Sequence, residues 1–207
     1  MQFPAGRPPS SSFESICLMP RGRYTSAHHA PRRGQSMSRE RLTRAFLWFS
    51  VIGWGIGLGG KLFDLLIVAG AWSAKPPASF NLLPYGPRFP LNPGDFFQPL
   101  SLVMVFGIVG ALISGWKTPF RYRLWLLLPV ISFLVLWAFT PTVFWPMINE
   151  LHGAATGKIV RTDAELILLA RRWIIWDWCR VVGIAVGFLS SIRAISIPYP
   201  GQDLSAR

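Results

Sequence analysis

Of the chain's 207 residues 51% are apolar and only 14% charged, against the ~25% charged residues usual in a soluble domain. Lysine and arginine outnumber acidic residues 21 to 9, a formal charge of +12, which leaves a nucleic-acid binder with a greasy core or a membrane protein with basic loops. Two cysteines exclude a secreted scaffold held by disulfides.

Residues 1–44 hold eight arginines and no extended apolar run. The first 36 are rich in Ser, Pro and Arg, with Glu14 as their one acid. A transit peptide has that composition, but Pro4, Pro8, Pro9, Pro20 and Pro31 would break its amphipathic helix. The expectation for 1–36 is therefore a disordered extension ahead of a start at Met37. Residues 37–197 form the membrane domain and 198–207 a short tail.

Four apolar runs follow, at about 45–72, 100–116, 124–145 and 173–192. A helix crossing the hydrocarbon needs ~17–25 residues at ~1.5 Å each, and each run reaches that range. The expected fold class is all-α, a membrane four-helix bundle. With the N-terminus inside, thirteen basic residues fall on the cytoplasmic side and six on the other. The positive-inside rule then places both termini in the cytoplasm. Segments 73–99 and 146–172 become long outer loops. The first carries seven prolines and reads as an extended cap; the second includes a helix start at Thr162-Asp163-Ala164-Glu165, continuing into the fourth span.

Gly55-Ile-Gly57-Leu-Gly59-Gly60 spells the dinucleotide fingerprint, but lies inside a span rather than between a strand and a helix. Gly53/Gly57, Gly55/Gly59 and Gly183/Gly187 instead have the small-xxx-small spacing that lets helices approach closely in lipid. Lys61 and Asp64 in the first span and Asp177 and Arg180 in the fourth are too costly to face lipid. Depth counted from the span ends predicts an Asp64–Arg180 pair, with Trp173, Trp176 and Trp178 around it. The result is either a polar pocket in the outer half of the bundle or a structural ion pair between helices. Asn149 and His152 lie three residues apart, on one side of a helical turn; His152 is the histidine outside the tail able to carry a proton near neutrality. No metal-ligand spacing, serine-nucleophile arrangement or nucleic-acid module is present. No metal, cofactor or nucleic acid is expected.

Pro146, Asn149 and Leu151 after the third span, and Trp173, Trp176 and Arg180 in the fourth, resemble the Pro-x-x-Asn-x-x-Leu and Trp-x-x-Trp/His-x-x-x-Arg signatures of the anthrone oxygenase-like family. These are small four-helix membrane proteins, mostly bacterial and uncharacterised. The leucine comes one position early, and the fourth-span signature here has no histidine. The resemblance implies a bacterial plasma-membrane protein and oxidation of an anthrone to an anthraquinone by molecular oxygen, with no established cofactor. On that reading Arg180 steadies an anionic oxygen, Asp64 or His152 accepts a proton, and Trp173, Trp176, Asn149 and Asp177 hold a hydrophobic aromatic molecule. The other reading is a non-catalytic membrane subunit or scaffold. The lipid bilayer is the expected partner, and oligomeric state is left open.

Overall fold

In the computed structural model of the chain, residues 33–85 and 89–200 are described; the expectation for 1–36 falls almost wholly outside them. Four helices are long and apolar enough to cross a membrane: Ser38–Ser73, Pro93–Ser114, Phe120–Ala155 and Asp163–Ser196. They are called the first to fourth helices below. Only 17–33% of the residues in their most apolar stretches are buried within the chain. Phe49, Ile52, Ile56, Leu102, Phe106, Leu134, Val135, Val182 and Leu189 all point outward. An apolar exterior around an interior containing charges suits lipid as solvent, so the chain is an all-α, four-helix membrane-spanning bundle.

Neighbouring helices pack around the ring: first on second, second on third, third on fourth, and fourth back on first. The helices run past the expected span ends because strong local signals lie there. Asn92 accepts from the Gly94 N–H at 2.8 Å, and the Asn92 N–H donates to Asp95 at 2.8 Å. This capping box, with Pro93 in the first turn, starts the second helix well before Leu100. The Thr162/Glu165 box starts the fourth helix at Asp163 in the same way. The third helix continues to Ala155, where Gly157 takes a positive φ of 71° and the chain turns back.

Two of the helices are interrupted without being broken. The first passes through a π-helical turn at Asp64–Val68 and the third through another at Thr140–Phe144. Pro141 supplies no N–H, while Thr140 and Thr142 bond back to the Leu136 and Ala138 carbonyls at 2.9 Å. These changes explain the second bulge. Such turns re-aim side chains, and they are frequent at functional sites.

Among the glycines, Gly53 and Gly57 face Met104 and Leu100 of the second helix, Gly55 faces Phe188, and Gly187 lies under Trp54. These contacts are mainly with side chains. Among these glycines the nearest approach to a neighbouring helix's backbone is at Gly107, against Ser50. Hydroxyls tie the interior together: Ser50 to Ser191 at 2.8 Å, Thr43 to Ser114 at 2.9 Å, and Ser132 to the Gly183 carbonyl at 2.6 Å. Interhelical bonds of this kind average about 0.6 kcal/mol. Ser191→Ala should therefore lower stability by about that amount in a detergent-unfolding titration; a loss above about 2 kcal/mol would contradict this assignment.

Candidate functional site: a buried charge chain under aromatic rings

Charged groups this far from water persist only when paired. Lys61 and Asp64 are both buried on the first helix, and Nζ of Lys61 donates to Oδ2 of Asp64 at 2.5 Å. The same ammonium lies 2.9 Å from Oδ2 of Asp177 on the fourth helix. Asp177 is fully buried, and its Oδ1 accepts from Nε of Arg180 at 2.7 Å and also from Nη2. The four charges form one chain, Asp64–Lys61–Asp177–Arg180, linking the first helix to the fourth.

The expected Asp64–Arg180 pair is corrected here. Each carboxylate takes a cation three residues away on its own helix, and Lys61–Asp177 is the link between helices. Depth counting assumed unbroken α-register and overlooked two things: the π-turn that begins at Asp64 and the reach of a flexible lysine toward two carboxylates at once.

Aromatic rings close over the chain. The Arg180 guanidinium stacks 3.5 Å from the Phe144 ring centre, at the end of the third helix's π-turn. Lys61 lies 5.4 Å from the Trp173 ring and 5.8 Å from that of Phe97. Trp72 and Phe144 meet Trp173 edge-on at 5.2 and 5.7 Å, and Trp72 contacts Phe80 of the proline-rich connection at 6.3 Å. Ring faces over cations add attraction where water is excluded.

The sequence-predicted site residues separate into two groups. Asp64, Asp177, Arg180 and Trp173 come together. Trp176 packs on Phe139 at 5.5 Å and is 42% exposed, and Trp178 is 44% exposed; among the described residues neither ring lies over one of the four charges. Asn149 is exposed and His152 half-buried, on the third helix beyond Phe144. His152 is eight residues, ~12 Å, farther along. Lys61, left out of the predicted pair, is the centre of the chain.

Tyr85 was not foreseen. It packs against the cluster containing Leu65, Phe144 and Trp173. Burial, and then the negative charge of Asp64, push its hydroxyl above the ordinary tyrosine range. A phenol whose ionisation is harder in the fold than in the unfolded chain favours the fold at neutral pH, and that contribution fades as pH rises above ~10. In a spectrophotometric titration of the folded protein, the Tyr85→Phe variant should lose no amplitude near pH 10. A lost amplitude there would show that Tyr85 titrates normally. The signal in sequence was only a tyrosine among prolines, without the helix periodicity that ranks a residue as buried.

A cavity of about 510 Å³ lies between the Ser73–Pro76 turn and the fourth helix. Among the described residues no group of three or more His, Cys, Asp or Glu is placed to hold a metal ion.

A family model described as anthrone oxygenase matches residues 91–190. The match spans the second and third helices and most of the fourth, so it includes Asp177 and Arg180 but not Lys61, Asp64 or Tyr85. No curated protein and no solved structure matches the chain.

Proposed function

We propose that the chain binds a small aromatic, phenol- or quinone-like molecule beside the Asp64–Lys61–Asp177–Arg180 chain, at the end of the bundle that carries the proline-rich connection. One observation carries the reading. Nε1 of Trp173, fully buried and one turn from Asp177 on the fourth helix, has no hydrogen-bond acceptor. Oδ2 of Asp177 is held by the Lys61 ammonium at 2.9 Å. An orphaned buried N–H costs ~1–3 kcal/mol, and a ligand hydroxyl or carbonyl oxygen would satisfy it. Trp72, Trp173 and Phe144 offer faces and edges to a planar ring.

The family resemblance extends the reading to oxidation. An anthrone-type CH₂ would become a carbonyl, with one atom of O₂ retained and the other leaving as water. Arg180 would stabilise the enolate oxygen formed on deprotonation, and Asp64 would be the nearer base, with His152 the more distant one. Trp173 and Trp176 would stack on the ring, and Asn149 would bind at its rim. The same reading keeps both termini in the cytoplasm, with this end of the bundle outside; labelling a cysteine introduced at Ser79 from outside intact cells checks the orientation.

A second reading, a non-catalytic membrane subunit, is favoured by the complete mutual pairing of the four charges. Trp173→Phe separates the two. It removes an unsatisfied donor but keeps most of the ring. If Nε1 serves a ligand, quenching of tryptophan fluorescence by 1,4-naphthoquinone should require at least ~10-fold more quinone, an effect of about 1.4 kcal/mol, with the melting temperature unchanged or higher. Unchanged quinone affinity would favour the subunit.

A further inference from the structure

The 510 Å³ cavity is separate from the charge chain. The turn after the first helix contributes Lys75 and Pro76, and the fourth helix contributes Ile167, Arg171, Ile174 and Ile175. Its volume is in the range of small-molecule sites, ~300–1,000 Å³. Its chemistry is split: isoleucine side chains form an apolar wall on the fourth helix, while two cationic side chains stand on opposite walls. Neither Lys75 nor Arg171 has an acidic partner among the described residues, in contrast to Lys61, Arg44, Arg161 and Arg180, which all do. Both cations are exposed, so neither is a charge the fold needs to neutralise.

Unpaired cations around an apolar groove at the end of a membrane helix match an anion carrying a hydrocarbon tail. We propose that this groove binds a long-chain carboxylate, its head between Lys75 and Arg171 and its tail along Ile174 and Ile175. A carboxylate can take a two-pronged bond from the guanidinium and a point contact from the ammonium. A volume of about 510 Å³ suits one hydrocarbon chain better than the two of a phospholipid. The inference does not depend on ligand binding at the charge chain.

The test uses the full chain in nanodiscs of phosphatidylcholine and 11-(dansylamino)undecanoic acid as probe, read by dansyl emission sensitised by tryptophan. The acid should bind saturably, and its methyl ester at least ~10-fold more weakly. The double variant Lys75→Gln/Arg171→Gln should weaken the acid by at least ~10-fold with an unchanged melting temperature, since both side chains are exposed. Ile174→Trp should block the groove to the acid even with both cations present. Trp173→Phe should leave acid affinity unaltered. Equal binding of acid and ester, or an unaltered affinity in the double variant, would overturn the assignment. So would displacement of the probe by a few equivalents of phosphatidylglycerol, which would identify bilayer phospholipid as the occupant.

Discussion

Replacing Asp177 with alanine is expected to destabilise the bundle by about 3–5 kcal/mol, the cost usual when one partner of a buried ion pair is removed. Asp177 carries the two links that matter, to Lys61 and to Arg180, and is itself fully buried. Among the described residues, its loss leaves the Arg180 guanidinium without a carboxylate and removes the charge contact between the first and fourth helices. Lys61→Met should have a comparable effect, since it leaves Asp64 without a cation. The charge-balanced double variant Lys61→Met/Asp64→Leu should recover much of that loss, because it removes an opposed pair instead of stranding one member. Unfolding titrations in mixed detergent micelles measure all three. An Asp177→Ala protein within about 1 kcal/mol of the parent would mean that the chain of charges does not hold the helices together.

The second large effect is steric. A Cβ on Gly107 would lie 2.6 Å from the Ser50 backbone nitrogen, 3.0 Å from its Cα and 3.1 Å from the Phe46 carbonyl oxygen. All three are backbone atoms that cannot rotate aside, so the first and second helices would have to separate. Gly107→Ala is expected to cost about 1–3 kcal/mol, the usual range for overpacking, and Gly107→Leu to prevent assembly of the bundle. Gly59 is the control: nothing lies within 4 Å of its added Cβ, so Gly59→Ala should be neutral or slightly stabilising by helix propensity. Equal losses at the two positions would show that helix flexibility, and not close approach, is the sensitive property.

That contrast marks how far the sequence could be read. The number of helices and their membrane-spanning character follow from run length and apolarity, properties of single segments. The Thr162 helix start was visible because a capping box is local. Gly59 and Gly107 show the boundary. Gly59 and Gly107 both have small-xxx-small spacing, with Gly55 and with Ala111, yet Gly59 touches nothing and Gly107 meets backbone, since which face meets a neighbour depends on the rotation of the whole helix. The charges behave similarly. That Lys61, Asp64, Asp177 and Arg180 lie in the interior followed from the cost of exposing them to lipid. Their partners did not follow, because a π-turn shifts side-chain direction and nothing in Asp-Leu-Leu-Ile-Val announces one. Trp173 and Trp176 were read together from one signature; about 60° of direction around the helix buries the first and leaves the second half-exposed.

The pairing within each helix has a consequence for how the protein is made. Lys61 neutralises Asp64 and Arg180 neutralises Asp177 before the two helices meet, so each segment can leave the insertion machinery as an electrically neutral rod. The costly step of bringing charge into hydrocarbon is divided between two separate entries. Of the charge contacts, the Lys61–Asp177 pair then remains for the side-by-side association that follows insertion. That contact acts as a recognition latch: a first helix that arrives early can wait in the bilayer without a partner, and the latch is complete only when the fourth helix presents its buried carboxylate.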